Sequence, residues 1–154
     1  MESLKLYTFA KITLFLDVIK RREDDYHDVK ILLHNINIWD FIQITLLSYP
    51  YFIIKSNLDI PYEENLVYKA YKNFIKETQT KVGCKIFLHK KIPTKAGLGG
   101  GSSNAAGIIL ALNILTKSKL KLEEMAKIGS KVGSDIPFFF YGGSCIAEGK
   151  GEIV

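Results

Sequence analysis

Cysteine is scarce in this chain. Cys84 and Cys145 are the only two of 154 residues, and their spacing matches no metal motif. A disulfide framework and a zinc site are thereby excluded. Each cysteine stands among apolar residues in a strand-like stretch, the setting of a buried, reduced thiol. Long apolar runs are missing too. None approaches the ~20 residues a bilayer-spanning helix needs, so no membrane partner is expected. Met1 to Ala10 carries Glu2 and Lys5 without an extended apolar core, so a signal peptide is not expected and the cytoplasm is the default compartment. Dense basic runs are also absent. Lys and Arg number 21 against 16 Asp and Glu, a net charge of +5, but they are scattered along the chain. That pattern forms no nucleic-acid stripe and suits a small anionic ligand better. There is no internal repeat, low-complexity segment or linker, and the length suffices for one domain with a proper core.

Glycine, by contrast, is concentrated. Pro93 to Ala106 reads P-T-K-A-G-L-G-G-G-S-S-N-A-A, with Gly97, Gly99, Gly100 and Gly101 close together and Ser102, Ser103 and Asn104 behind them. Glycines allow positive φ and close approach of a ligand to the backbone. The apolar run that follows reads as a helix over Ser103–Leu115, apolar nearly all round and therefore central and buried. A glycine loop feeding a helix N-terminus exposes free N–H groups at the positive end of a dipole, which is an anion site and most often a phosphate site. The loop is not a Walker A element, because no Gly-Lys-Ser/Thr follows, and its glycine spacing does not match the dinucleotide fingerprint.

The rest of the chain frames this loop. Leu4–Lys20 reads as strand, apolar on both faces and so expected to be covered on both. Lys11 interrupts it, either as a surface lysine at a bend or as a buried cation with a task. Lys20–His27 is a charged loop ending in Tyr26 and His27, a pair that can stack on a planar base or simply end a strand edge. Val29–Ile38 and Phe41–Leu47 read as two strands joined through Asn37–Asp40, and Tyr51–Lys55 as a short third. A helix is expected over Asn65–Thr78, a strand over Cys84–Lys91, and a helix over Leu122–Ile128 closed by Gly129. Gly133–Phe140 reads G-S-D-I-P-F-F-F. It places Asp135 before an apolar strand, as a general base, a metal ligand or a turn cap. Gly142 and Gly143 turn the chain into a last strand, Ser144–Glu148.

These segments together resemble the GHMP kinases. The loop looks like the family's phosphate loop, in the three-glycine form followed by Ser-Ser-Asn. A-K-I at Ala10–Ile12, D-Y-H at Asp25–His27, N-L-V at Asn65–Val67, G-S-D-I-P-F-F at Gly133–Phe139 and A-E-G-x-G-E at Ala147–Glu152 match other family segments in order and spacing. The resemblance covers the whole chain. It is nearest the branch that phosphorylates a cytidine diphosphate sugar alcohol on its 2-hydroxyl, in non-mevalonate isoprenoid biosynthesis.

The resemblance implies an α+β fold: the family's N-terminal domain, with a ribosomal-protein-like βαβ core and a mixed sheet with helices packed on one face. It implies Lys11 and Asp135 as the catalytic pair. Asp135 would take the substrate's hydroxyl proton, and Lys11 would stabilise charge on the attacking oxygen or the transferred phosphoryl. Pro93, Ala96, Gly97, Leu98, Gly99, Gly100, Gly101, Ser102 and Ser103 would hold the phosphates of ATP, and Asn65 would lie near the adenine. Tyr26 and His27 would hold the cytosine. Mg²⁺ is expected with ATP, with no residue standing out as a dedicated ligand.

Two departures are visible. Thr13 stands where the family commonly has a substrate-contacting Asn. Family members also continue into a second domain, whereas this chain stops at Val154. The expectation is little or no activity for this chain alone, with an apolar face open to self-association. An RNA-binding module of related fold and a catalytically inactive fragment are the alternatives.

Overall fold

The computed structural model describes residues 2–154. In chain order the elements are β1 (Ser3–Arg21), β2 (His27–Leu47), β3 (Phe52–Ser56), α1 (Leu66–Thr78), β4 (Gly83–His89), α2 (Gly100–Leu115), α3 (Leu122–Ser130), α4 (Phe138–Tyr141) and β5 (Ser144–Ala147). The strands form one five-stranded sheet in the order β1-β2-β4-β3, with β5 pairing the other half of β2. Only the β3–β4 pair is parallel, so the sheet is mixed.

Helices cover one face. Ile42, Ile44, Ile86 and Leu88 alternate inward from β2 and β4 and meet Val67, Ala70 and Phe74 of α1 and Ile108, Ile109 and Leu112 of α2. The α2 helix lies so close to β1 that a Cβ at Gly107 would stand 2.6 Å from Thr8 Cγ2. The uniformly apolar run therefore becomes a central helix, as its composition requires. On the other face Tyr7, Trp39, Phe41 and Phe87 form a chain of aromatic contacts, and the Lys91 ammonium sits over the Trp39 ring at 4.2 Å. No helix among the described residues is long and apolar enough to cross a membrane.

Several elements depart from the sequence expectation. β2 is one strand, not two. Its register against β1 shifts between Phe9/Ala10 and Trp39/Ile36, so Asn37 and Ile38 form an irregularity instead of a connection. β1 is not covered on both faces. Beyond Ile12 it runs with β2 as an arm that β5 joins as far as Leu16 and that is two-stranded from there to the tip, leaving Leu14, Phe15, Leu16, Val18 and Ile19 exposed. α2 starts at Gly100, because Gly99 at φ +69° takes the cap position and the glycines themselves make the first turn. α3 continues through Gly129, which is no cap: a Cβ there would lie 2.6 Å from Ile136 Cγ2. Phe138–Tyr141 is a helical turn, not a strand. Pro137 holds helical angles at its start, and short apolar runs carry no period that separates the two structures. Cys84 is fully buried, whereas Cys145 is only half-buried; both are free.

Candidate active site

Between α1 and the glycine loop lies a cleft of about 590 Å³. Its floor is the first turn of α2. Gly99 is left-handed and no side chain caps the helix, so the opening N–H groups remain available to an anion. Pro93, Ala96, Gly97, Leu98, Gly99, Gly100, Gly101 and Ser102 all line the cleft. Ser103 does not. Its N–H donates to the Gly99 carbonyl at 2.8 Å and its side chain is buried. Asn65 lines the far wall and caps α1, its Oδ1 accepting from the Val67 N–H at 3.0 Å.

Lys11 and Asp135 come together beside the loop, with Nζ and Oδ2 3.8 Å apart. Lys11 is buried because the register shift at Ala10 turns two consecutive residues inward. Its N–H donates to the Leu98 carbonyl at 2.9 Å, tying strand to loop. Gly99 is needed here twice over: besides its positive φ, a Cβ would meet Phe139 Cζ at 2.8 Å and Lys11 Cγ at 3.0 Å. Thr13 Oγ1 accepts from Lys11 Nζ at 3.3 Å, so its hydroxyl engages the lysine. Asp135 is 39% exposed, open to an incoming hydroxyl. The arrangement is a cation and a carboxylate at the edge of an anion-binding helix terminus. That is the equipment for moving a phosphoryl group onto an alcohol.

Tyr26 and His27 are not beside this pair but at the exposed tip of the arm. What links the two places is Lys150, which sequence reasoning passed over as the variable position of A-E-G-x-G-E. Its Nζ lies 2.9 Å from Asp24 Oδ2 and 4.1 Å from the centre of the Tyr26 ring. The adjacent Gly151 approaches Asp135, with an added Cβ falling 4.0 Å from Oδ1. Lys150 first, and then Arg22, hold the Asp24 carboxyl down at about 2. Arg22 likewise lowers Asp28 through a 2.8 Å bond. The only trace of this link in the sequence was an isolated lysine between two glycines.

A mixed sheet, a central helix opened by glycines and a Lys–Asp pair at its mouth are the architecture of a small-molecule kinase domain. The chain belongs to the GHMP kinases, whose N-terminal domain family model matches residues 65–143. It is 40% identical over 152 residues to a 4-diphosphocytidyl-2-C-methyl-D-erythritol kinase of Thermotoga petrophila, covering 99% of this chain and 55% of that protein. It is 43% identical to the kinase of the same name from Thermosipho melanesiensis, covering 96% of this chain and 52% of the relative. A crystal structure of 4-(cytidine 5'-diphospho)-2C-methyl-D-erythritol kinase superposes with a TM-score of 0.79 at 32% identity, covering 97% of this chain and 53% of that one. The chain thus spans about half the length of the curated relatives it matches.

Proposed function

We propose that this chain is the ATP-binding, catalytic-pair half of a 4-diphosphocytidyl-2-C-methyl-D-erythritol kinase, transferring the γ-phosphoryl of ATP to the substrate's 2-hydroxyl. One observation carries the reading: the main-chain bond from Lys11 to Leu98 sets a lysine–aspartate pair against an uncapped, glycine-built helix terminus. In this reading the triphosphate lies along Gly97–Ser102 with the nucleoside toward Asn65. Asp135 accepts the hydroxyl proton, and Lys11 neutralises charge on the attacking oxygen or the transferred phosphoryl. Mg²⁺ would enter with ATP, held by phosphate oxygens and water, and would neutralise phosphate charge. Among the described residues no three His, Cys, Asp or Glu side chains gather to hold it without them. Tyr26 and His27 receive the cytosine at the arm tip, where Lys150 sits over the Tyr26 ring. Both nucleotides belong to the cytoplasm, the compartment proposed. No nucleic-acid partner is proposed.

Transfer needs a site closed against water. The exposed arm and half-open Asp135 support the reading that this chain alone turns over little. Calorimetric titration of the chain with ATP and with cytidine 5'-diphosphate tests the assignment. ATP should bind and the cytidine nucleotide should bind more weakly. Failure of ATP to bind would remove the reading.

A further inference from the structure

The chain leaves the sheet at His89, yet its next three main-chain N–H groups are all taken by side chains. Asn57 Oδ1 accepts from the Lys90 N–H at 2.7 Å, and its Nδ2 donates to the Lys90 carbonyl at 3.0 Å. Asp40 Oδ1 accepts from the N–H groups of Lys91 and Ile92 at 2.6 and 2.8 Å. Asp40 Oδ2 accepts from Lys90 Nζ at 2.5 Å and from Asn104 Nδ2 at 2.9 Å. Asn104, in α2, takes a second bond from Lys90 Nζ on its Oδ1 at 2.9 Å and donates from Nδ2 to Thr8 Oγ1 at 2.7 Å. Asp40, Lys90, Asn104 and Thr8 are buried, Asp40 at 0% and Asn104 at 1% exposure, whereas Asn57 is exposed.

Stability alone does not account for such a cluster. Apolar residues of similar volume are often as stabilising as a buried ion pair, because desolvating two charges is costly. Placement does account for it. The cluster joins β1, β2, the strand exit and α2 at one point between the two ends of the glycine loop. A Cβ at Gly100 would stand 3.0 Å from Lys90 Nζ and 2.9 Å from Ile92 Cγ2, so the lead-in lies directly against the first turn of α2. Apolar packing lets such segments slide, whereas directional hydrogen bonds set their distance.

We propose that Asp40, Lys90, Asn104 and Thr8 are positioning residues that lock the glycine loop and the first turn of α2 against β1, so that the cleft's N–H groups are pre-set for a polyphosphate. The identity of that polyphosphate rests on the ATP reading above; the locking does not. Preset geometry lowers the ordering cost of binding, and small displacements of such a site are expensive.

The test compares Asn104→Ala and Thr8→Val with Tyr71→Phe, which removes a different internal bond, from Tyr71 Oη to the Val82 carbonyl at 2.9 Å. Three quantities are read on each: ATP affinity, adenosine affinity, and hydrogen exchange of the Lys11 amide, whose bond to Leu98 reports loop docking. Asn104→Ala should weaken ATP about tenfold and Thr8→Val about threefold, with adenosine within about twofold of the parent. Both should speed Lys11 exchange, whereas Tyr71→Phe should lower Tm and leave the affinities as they were. The proposal is overturned if the two variants lower Tm and nothing else, or if ATP and adenosine weaken equally. Asn104 and Lys90 also line the cleft, whereas Thr8 does not, so Thr8→Val, which keeps the Asp40–Lys90 pair, separates positioning from direct contact and carries the test should Asn104→Ala not fold. Should the parent bind no ATP, the ATP reading fails, and Lys11 exchange alone decides the network.

Discussion

The main-chain N–H of Lys11 donates to the carbonyl of Leu98 at 2.9 Å, and through that bond the middle of β1 holds the glycine loop. The lysine's backbone positions the loop while its ammonium faces Asp135 at 3.8 Å. One residue thus sets the distance between the anion site and the carboxylate, whichever ligand lies between them.

Lys11→Ala and Asp135→Ala should separate chemistry from binding. In a chimera that joins this domain to the second half of a relative, each should lower kcat by about 10²–10⁴-fold, the range for losing a positioned acid–base group or charge stabiliser. Asp135→Ala should retain ATP affinity in calorimetry. Unchanged turnover in a coupled ADP-release assay would reject the assigned roles.

Gly97→Ala and Gly99→Ala should differ. Both residues have positive φ, but Gly97 has open space around its Cα whereas Gly99 faces Phe139 and Lys11. Gly97→Ala should cost about 1 kcal/mol, the left-handed penalty alone. Gly99→Ala adds overpacking of about 1–3 kcal/mol and should displace Lys11. Urea midpoints measure both.

The arm tip should respond to acid. The Asp24 carboxyl, ordinarily near 3.8, is held at about 2, chiefly by Lys150. A carboxyl lowered by folding contributes stability that is complete above its ordinary value and is lost as pH falls through its folded value. The tie to Lys150 should therefore persist from neutrality to about pH 4 and release on approach to pH 2. An NMR titration of the Asp24 carboxyl should find the low midpoint, and Lys150→Met should move it up.

The two thiols should react unequally. Burial pushes the Cys84 thiol up to about 12. It raises Cys145 as well, but that residue is only half-buried. At pH near 8 an alkylating reagent should label Cys145 slowly and spare Cys84 until the chain unfolds. Mass spectrometry of the labelled peptides reads the order.

The arm should mediate self-association. Leu16 is 57% exposed and Ile19 60%, in a stretch from Leu14 to Ile19 that is apolar except for Asp17. Sedimentation velocity should show concentration-dependent association, and Leu16→Glu with Ile19→Glu should reduce it. ATP affinity should be unaltered, because neither residue lines the cleft.

Much of this was legible in the sequence because it is local. The glycine cluster, the uniformly apolar run of α2 and the amphipathic period of α1 each declare themselves within a few turns of chain. Phe138–Tyr141 and the join between Asn37 and Asp40 were misread because a short apolar stretch and an irregular register leave no periodic mark. Asp40, Lys90 and Lys150 were passed over, and Asn104 was read only as part of the loop, because a polar residue reads as solvated until its partners are known.

By itself the sequence marked the glycine loop as a candidate anion site, which rests on residue type and near spacing, whereas the pairing of Lys11 with Asp135 came only from the resemblance to the GHMP kinases. Only the tertiary structure decided that Lys11 meets Asp135 at the loop, that Tyr26 stands away from both, and that a buried Asp40–Lys90 pair underlies the cleft. The physical reason is range: backbone preference and amphipathic period act over a few residues, whereas ion pairs and hydrogen bonds between distant segments exist only once the sheet has set its register.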